Sequence, residues 1–500
     1  MSNRISMLGW FVGFCMVLAL IPQTAMFAND DDLEVAALAQ SDDEDDDVFE
    51  PEPADDDDDV FEPEPADDDD DVFEPEPEPI FDEDDEDAVL DDDDEDDDDE
   101  DDGFEIIIDD DDDGIESVID DRFDTPRPDQ AIVDLRDGVD PNAFAQRYNL
   151  TVLRVIPTPN IVLFQLDSAR DDNQEIVDFL DDDDVEWAEL NVTAQAPEGR
   201  PRYFFTAVTG VPRLVDGPAL PIGLEFTQEV ACVTGADVVV AVLDTGVDVN
   251  HPDLVSSVLP NGVNMVDNSF DVRDVGNGLD DDADGQIDEM VGHGTHVAGS
   301  ILQVAPDARI LPVKVLNSDG VGDAFMVTSG IHYAVEQGAD VINLSLGSTY
   351  DSFAIRDAVE FATSQDVVVV AAVGNGDHEE PAEFPAAVDN VLSVSSTTAD
   401  GDKAEYSNYH PSVDISAPGN DLASAYPGGL YTTASGTIMS TPLVSGAVAL
   451  ILERQPDAPF GAITDTIMET SGPLTLSDPS LEGKLGAGEI DIDASISCNG

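Results

Sequence analysis

The sequence predicts an α/β fold, in which a doubly wound parallel-sheet domain is preceded by a small ferredoxin-like domain and a disordered acidic segment. Three observations lead to this prediction. Residues 30–121 hold 54 acidic residues and no lysine or arginine. Hydrophobic periodicity then begins near Ala131, in the order βαββαβ. From Val238 onward, apolar runs alternate with helical stretches, which is typical of a parallel sheet with helices on both faces.

The N-terminus has the layout of a secretory signal peptide. Arg4 precedes an uncharged run over residues 5–21, and small residues follow around Ala25 and Ala28. We therefore expect residues 1–28 to be a signal peptide and the protein to be secreted or held at the cell surface. An uncleaved membrane anchor is the alternative, because the run is at the short end of what a bilayer span requires.

Residues 29–128 form a low-complexity acidic region. The unit VFEPEPADDDDD occupies residues 48–59, recurs at 60–71 and is truncated at 72–79. Repulsion between the Asp runs and the scarcity of apolar residues predict a disordered spacer. Three roles remain possible for this region: a tail that keeps the protein soluble, a stalk, or a segment that binds divalent cations weakly. The net charge of −98 over 500 residues also argues against binding to nucleic acid or to an anionic membrane surface.

We expect the small βαββαβ domain over residues 129–197, a linker rich in Pro, Gly and Arg over 198–229, and the larger domain over 230–497. The predicted strands of the small domain are 131–135, 153–156, 161–166 and 185–190, and its helices are 141–148 and 174–180.

In the larger domain we predict strands at 238–243, 310–315, 341–346 and 367–373, and helices from 293 and near 325–336 and 353–363. In such sheets functional residues gather at the carboxyl ends of the strands.

Three polar residues stand at positions suited to catalysis. Asp244 ends an apolar strand before a glycine turn, which leaves its carboxylate at the rim of the sheet. His293 lies between two glycines at the start of a helix, where the backbone can approach a ligand and an imidazole can act as a base. Asn375 follows another strand, where its amide can donate a hydrogen bond to a developing oxyanion.

Together these segments resemble the subtilisin-like serine proteases, peptidase family S8, over nearly all of residues 230–497. The resemblance implies that Asp244 orients the histidine, His293 is the general base and Asn375 is the oxyanion-hole side chain. It also implies that residues 130–196 are an inhibitory propeptide of the inhibitor I9 type, whose tail occupies the cleft until it is cut.

The same resemblance implies two extended segments that pair with the backbone of a bound peptide. They consist of Gly320, Val321 and Gly322 and of Ser345, Leu346 and Gly347. The expected partner is therefore an extended peptide, or the chain's own propeptide, bound to a monomer.

The sequence departs from the family at the nucleophile. The family motif reads Gly-Thr-Ser-Met-(Ala or Ser)-Thr-Pro, whereas residues 436–442 read Gly-Thr-Ile-Met-Ser-Thr-Pro. Ile438 therefore holds the place of the nucleophilic serine. A branched hydrocarbon has no lone pair to attack a carbonyl carbon and no proton to give to His293, so we predict that peptide hydrolysis is impaired.

Two alternatives keep the protein an active secreted serine endopeptidase. Ser440 is a nearby hydroxyl, although two residues along a helix rotate it by about 200° from Ile438. A single base change converts the serine codons AGC and AGT to isoleucine, so a mis-recorded codon would also produce this sequence. A third hypothesis makes the acidic segment the functional part of a cation-binding surface protein.

An acidic loop between Asp244 and His293 has the spacing of a calcium site. The predicted ligands are Asp280, Asp282, Asp284, Gln286 through its carbonyl, and Asp288. Its twelfth position is Val291 and not glutamate, so a bidentate ligand has to come from Asp288, Glu289 or elsewhere. We expect a structural Ca²⁺ that stabilises the segment leading to His293.

The chain has three cysteines, too few for a disulfide scaffold or a cysteine-rich zinc site. Cys15 lies in the leader, while Cys232 and Cys498 bracket the larger domain. Whether those two pair is open at this stage.

Overall fold

The computed structural model describes residues 126–196, 206–207, 232–379 and 383–496. The predicted signal peptide, the acidic repeats and most of the linker lie outside the described residues. Among those described, no helix has the length and apolar character that crossing a membrane requires. Cys232 is disulfide-bonded, and its partner lies outside the described part of the chain.

The N-terminal domain is built on an antiparallel sheet with the strand order β2-β3-β1-β4-β9, in which β9 (Val321–Asp323) comes from the larger domain. Its elements follow the predicted order βαββαβ and are β1 (Pro126–Leu135), α1 (Pro141–Tyr148), β2 (Thr151–Ile156), β3 (Ile161–Gln165), α2 (Asp172–Leu180) and β4 (Val185–Gln195). Buried Phe144, Phe164 and Phe179 pack together in its core.

Local chemistry explains where the two helices of this domain begin. The side chain of Asp140 accepts a hydrogen bond from Asn142 N, and Pro141 occupies the first turn of α1. Asp171 caps α2 in the same way, by accepting from Gln174 N. Each carboxylate satisfies a backbone donor that the helix itself leaves without a partner.

The larger domain contains a seven-stranded sheet, ordered β13-β12-β11-β10-β6-β8-β7, whose neighbouring strands all pair in parallel. The strands are β6 (Val239–Asp244), β7 (Val263–Asn264), β8 (Arg309–Lys314), β10 (Val341–Leu344), β11 (Val368–Ala372), β12 (Val391–Thr397) and β13 (Ile415–Pro418). Strand β9 (Val321–Asp323) instead joins the sheet of the N-terminal domain.

Helices cover both faces of this sheet. They are α3 (His293–Val304), α4 (Ala324–Glu336), α5 (Phe353–Ser364), α6 (Thr437–Arg454), α7 (Phe460–Thr470) and α8 (Ile492–Ile496). In β6, Val240 and Val242 belong to the apolar core that contains α3 and α6. Ala241 and Leu243 belong to the core that contains α4 and α5. A strand buried on both faces has no polar alternation, so β6 reads as one continuous apolar run.

The chain reverses its direction across the sheet between β6 and β10. Strands β8 and β7 lie on one side of β6, and β10, β11, β12 and β13 lie on the other. Crevices for ligands form at the carboxyl ends of strands beside such a reversal. Asp244 ends β6, and Ser345 follows β10 directly, so both lie at this crevice.

A third sheet is small and antiparallel. It joins β14 (Leu422–Tyr426), β15 (Leu430–Ala434) and β5 (Thr206–Ala207) in that order. Strand β5 lies within the predicted linker. This part of the linker therefore pairs with the larger domain, a contact that its composition does not indicate.

Candidate active site and peptide cleft

Asp244 and His293 meet at the carboxyl end of β6. Nδ1 of His293 lies 2.7 Å from Oδ1 of Asp244, and both side chains are completely buried. The same carboxylate oxygen accepts a hydrogen bond of 2.6 Å from Thr245 N. This arrangement fixes the orientation of the imidazole, with Nδ1 on the aspartate and Nε2 on the opposite side of the ring.

The close approach of α3 to the end of β6 depends on a glycine. A Cβ on Gly294 would overlap the carbonyl oxygen of Gly246 and would lie 2.9 Å from Oδ1 of Asp244. Gly294 N also donates to Oγ1 of Thr245 over 3.0 Å. The residue after His293 therefore has to lack a side chain for the histidine to reach the aspartate.

Sequence reasoning missed Asp274, a buried carboxylate that supports this pair. Its Oδ1 accepts from Gly292 N over 3.0 Å, and its Oδ2 accepts from Oγ1 of Thr295 over 2.6 Å. Thr245 also donates to it over 3.2 Å. Burial raises the pKa of Asp274 to about 6, although these hydrogen bonds oppose the shift. Asp274 thus joins both ends of the turn around His293 to the loop that follows Asp244.

Asn375 lies beside the first turn of α6. Its Oδ1 accepts hydrogen bonds from Thr437 N and Thr437 Oγ1, each over 2.9 Å. Because a backbone N–H can only donate, these bonds identify Oδ1 and leave Nδ2 facing the other way. Nδ2 is buried and makes no hydrogen bond among the described residues. An amide N–H held in this way is suited to stabilising a developing oxyanion.

Ile438 is the second residue of α6 and is completely buried. A Cβ built on Gly436 would lie 2.7 Å from Cγ1 of Ile438 and 3.4 Å from Nδ2 of Asn375, so the hydrocarbon and the amide border the same small space. The carbonyl of Ile438 accepts a hydrogen bond of 2.8 Å from Oγ of Ser345. The backbone at this position is therefore anchored to the end of β10.

The neighbouring hydroxyl groups have other partners. Ser440 Oγ donates to the carbonyls of Ala417 and Pro418, at 2.9 and 3.1 Å, and is completely buried. Ser435 Oγ accepts from Asp421 N over 2.9 Å, and Thr437 Oγ1 bonds to Asn375. The Ser440 hydroxyl thus faces the β13 edge of the sheet.

The two predicted peptide-binding segments lie on either side of the end of β4. Thr193, Ala194 and Gln195 pair antiparallel with β9, in register with Asp323, Gly322 and Val321. On the other side, Gln195 and Gly347 exchange two backbone hydrogen bonds of 3.0 and 3.2 Å. Ala196 N donates to Gly320 O over 2.9 Å. The tail of the N-terminal domain therefore fills the cleft as the middle strand of three.

The N-terminal domain also caps two helices of the larger domain. The buried carboxylate of Glu189 accepts from Ser352 Oγ over 2.7 Å and from Phe353 N over 2.8 Å, at the start of α5. Asn191 Oδ1 accepts from Phe325 N in the first turn of α4, over 3.2 Å. Burial raises the pKa of Glu189 to about 7. Asp323 and Ser352 cap α4 and α5 from within the larger domain, and these contacts satisfy further backbone donors in the first turn of each helix.

In the acidic loop, carboxylate oxygens of Asp280, Asp282 and Asp284 lie within 4.8 Å of one another. Asp288 does not join them, because its carboxylate accepts from Asn277 N over 2.7 Å and from Gly278 N.

The other predicted ligand, Gln286, donates from its side chain to Asp284 over 2.9 Å. Glu289, in contrast, has both carboxylate oxygens buried with no hydrogen bond among the described residues. Burial raises its pKa to about 7, and repulsion from Asp319 and Asp282 adds to the shift. Glu289 is not one of the three clustered carboxylates, but a buried carboxylate without a hydrogen-bond partner next to this cluster in the chain is a candidate further ligand for a divalent cation.

Comparison with known proteins agrees with this geometry. The profile of the subtilase family matches residues 235–488, and that of the fervidolysin N-terminal prodomain matches residues 124–191. An intracellular serine protease of Paenibacillus polymyxa is 40% identical over 249 residues, which cover 46% of this chain and 72% of the relative. Thermitase of Thermoactinomyces vulgaris is 38% identical over 254 residues, which cover 50% of this chain and 88% of thermitase.

The crystal structure of fervidolysin from Fervidobacterium pennivorans, a keratinolytic enzyme related to subtilisin, matches with a TM-score of 0.61 at 22% identity. The match covers 76% of this chain and 62% of fervidolysin, so this chain spans about three fifths of that protein and shares its fold. The predicted fold class and family are thereby confirmed: the chain belongs to the subtilase family of serine proteases, with a fervidolysin-type prodomain before its peptidase domain.

Proposed function

We propose that this protein is an exported subtilase that binds peptide in its cleft and is impaired in hydrolysing it. The single observation that carries this proposal is Ile438, a buried hydrocarbon beside the Asn375 amide at the place of the nucleophile. Covalent catalysis needs a group that attacks the carbonyl carbon and gives its proton to the base. Removing the nucleophile alone from a serine protease of this family lowers turnover on the order of a millionfold.

The surroundings of Ser440 support the same conclusion. Its hydroxyl donates to carbonyls at the β13 edge, whereas a serine that acts as nucleophile must donate to the imidazole of the base. Moving this hydroxyl into the cleft would break the buried hydrogen bonding in which its single proton is shared between these two carbonyls.

The occupied cleft supports peptide binding. The end of β4 pairs with Gly320–Gly322 on one side and with Gly347 on the other, a mode in which backbone hydrogen bonds supply affinity for an extended peptide. Because a chain that does not hydrolyse peptides cannot cut its own prodomain, we expect that domain to stay attached and to compete with other peptides for the cleft.

Labelling with a fluorophosphonate probe tests the proposal, because such probes react with the activated serine of serine hydrolases. We expect that the probe does not label the unaltered protein and that it labels Ile438→Ser. Labelling of the unaltered protein, mapped to Ser440 by mass spectrometry and absent in Ser440→Ala, would refute the proposal. Sequencing codon 438 in freshly prepared DNA tests the remaining alternative, in which serine is the encoded residue.

We further propose a structural Ca²⁺ held by Asp280, Asp282 and Asp284, with Glu289 in place of the glutamate that the loop lacks at its twelfth position. A bound cation would lower the repulsion among these carboxylates and would keep Glu289 ionised. It would thereby stabilise the segment that leads to His293. We also expect the protein to act as a monomer outside the cell.

A further inference from the structure

The side chain of Glu383 lies beside Gly347 and Gly374, two glycines at the peptide cleft. Glu383 is half-buried, and backbone hydrogen bonds hold it and the residue that follows it. Glu383 N donates to Val373 O over 3.2 Å, and Phe384 exchanges two backbone hydrogen bonds with Ser348, of 2.8 and 2.9 Å. The residue therefore spans the gap between the end of β11 and the segment that follows β10.

Two glycines mark the position of its carboxylate. A Cβ on Gly347 would lie 2.6 Å from Oε2 of Glu383, and a Cβ on Gly374 would overlap Cδ and Oε1. Gly347 has no left-handed backbone that would by itself require glycine, so the missing side chain there makes room for the carboxylate. Gly347 also binds the backbone of Gln195, and Gly374 directly precedes Asn375. The negative charge thus lies between the strand that holds a peptide and the oxyanion-hole candidate.

We propose that Glu383 is a specificity-determining residue, which makes the cleft prefer peptides with arginine or lysine directly after the strand-paired residues. This inference rests on the proposed function, because it names the class of peptide that the same cleft binds. A carboxylate in a partly desolvated cleft forms strong, short hydrogen bonds to a guanidinium or ammonium group, and it disfavours an acidic side chain at the same place.

Fluorescein-labelled peptides that copy residues 191–196 and add one variable residue test the preference. Their sequence is Asn-Val-Thr-Ala-Gln-Ala-Xaa-amide, in which Xaa is arginine, norleucine or glutamate. Fluorescence anisotropy with the full chain gives an apparent Kd for each peptide. The chain's own tail competes with every peptide alike, so it weakens all apparent affinities by one factor and leaves their ratios unchanged.

We expect the arginine peptide to bind on the order of tenfold more tightly than the norleucine peptide, and the glutamate peptide to bind most weakly. In Glu383→Gln the arginine and norleucine peptides should bind within about twofold of each other. The matched control Glu360→Gln, which removes one exposed charge from α5, should keep the preference.

Equal binding of the arginine and norleucine peptides to the unaltered protein would overturn the inference and leave the proposed function intact. If Glu383→Gln still prefers the arginine peptide, another group causes the preference, and this result would also overturn the inference. If none of the three peptides binds, the proposed peptide cleft fails together with the inference. The comparison within the unaltered protein decides the matter even if Glu383→Gln does not fold.

Discussion

Buried hydrogen bonds anchor both ends of the candidate active site, the Asp244–His293 end and the Ile438 end. The two ends differ in the chemistry of the side chains that are held there. At the first end, Thr245 N donates to Asp244 and Gly292 N donates to Asp274, and the Asp244 carboxylate and the His293 imidazole lie 2.7 Å apart. At the second end, Ser345 and Asn375 hold the start of α6 equally well, yet the side chain there is a hydrocarbon.

Backbone hydrogen bonds therefore position residue 438 independently of its side chain. The carbonyl of Ile438 and the N–H of Thr437 make the anchoring bonds, and every residue type carries a carbonyl there. A serine at this position would therefore lie beside the Asn375 amide, the proposed oxyanion-hole side chain.

The largest expected effect comes from Ile438→Ser. We expect its rate of hydrolysis of a chromogenic peptide to exceed that of the unaltered protein at least a thousandfold, because the nucleophile contributes on the order of a millionfold in this family. The chain should then also cut itself between residues 196 and 202. Ile438→Val keeps a hydrocarbon and should gain nothing, and Ile438→Ser with His293→Ala should lose the gain. An Ile438→Ser protein that folds and remains as slow as the original would show that the second end lacks more than a hydroxyl.

A second substitution tests the close packing at the Asp244–His293 end. Gly294→Ala should lower the free energy of unfolding by about 3 kcal/mol, because a Cβ would overlap the carbonyl of Gly246 beside Asp244. Gly461→Ala in α7 is the matched control: its Cβ meets nothing within 4 Å, so it should raise the stability by up to about 1 kcal/mol. Urea unfolding measures both, and equal effects of the two substitutions would contradict the close approach that we describe.

Calcium removal tests whether the acidic loop supports the same end. At a calcium concentration one hundred times the Kd, the ion should stabilise the protein by about 2.7 kcal/mol, and this stabilisation should vanish in EGTA. Glu289→Gln should reduce the calcium-dependent rise in Tm, whereas Asp267→Asn, which removes an exposed charge outside the cluster, should leave it unchanged. A Tm that does not respond to calcium would count against the site.

The smallest effect concerns His332, a buried histidine that lacks the carboxylate partner of His293. Its ring stacks on Phe361 with a centroid distance of 4.7 Å, and burial lowers its pKa to about 4. The unfolded chain binds this proton near pH 6.5 and the folded chain only near pH 4, so stability should fall as the pH drops between those values. At about pH 5, His332→Phe should reduce that loss by about 2 kcal/mol. Urea unfolding of the unaltered protein and of His332→Phe at several pH values measures the difference, and equal pH dependence of the two proteins would contradict the prediction.

Much of the fold could be predicted from local pattern. The apolar run of β6 and the glycine-flanked start of α3 are features of adjacent residues, so the sequence places Asp244 at the end of a strand and His293 at the start of a helix. Other element boundaries differ from the prediction because they depend on partners far away in the chain. Strand β4 was predicted to end at residue 190 and continues to Gln195, since β9 and Gly347 offer it backbone partners.

The supporting residues of the site had no comparable signal. Asp274 stands in a loop without periodicity, and nothing local distinguishes it from the many other aspartates of this acidic chain. The acidic loop shows the same limit. Spacing predicts Asp288 as a ligand, while in the structure the Asp288 carboxylate accepts a hydrogen bond from Asn277 N and the clustered carboxylates are those of Asp280, Asp282 and Asp284.

The family, the order of the elements and the hydrocarbon at position 438 can be predicted from the chain alone, because each depends on neighbouring residues. Three other features depend on folding: Asp274 supports the turn around His293, the tail of β4 occupies the cleft, and Glu383 lies between Gly347 and Gly374. These relations join segments far apart in the chain. They arise when packing brings the ends of separate strands to one edge of the sheet, and no local pattern records which side chains will meet there.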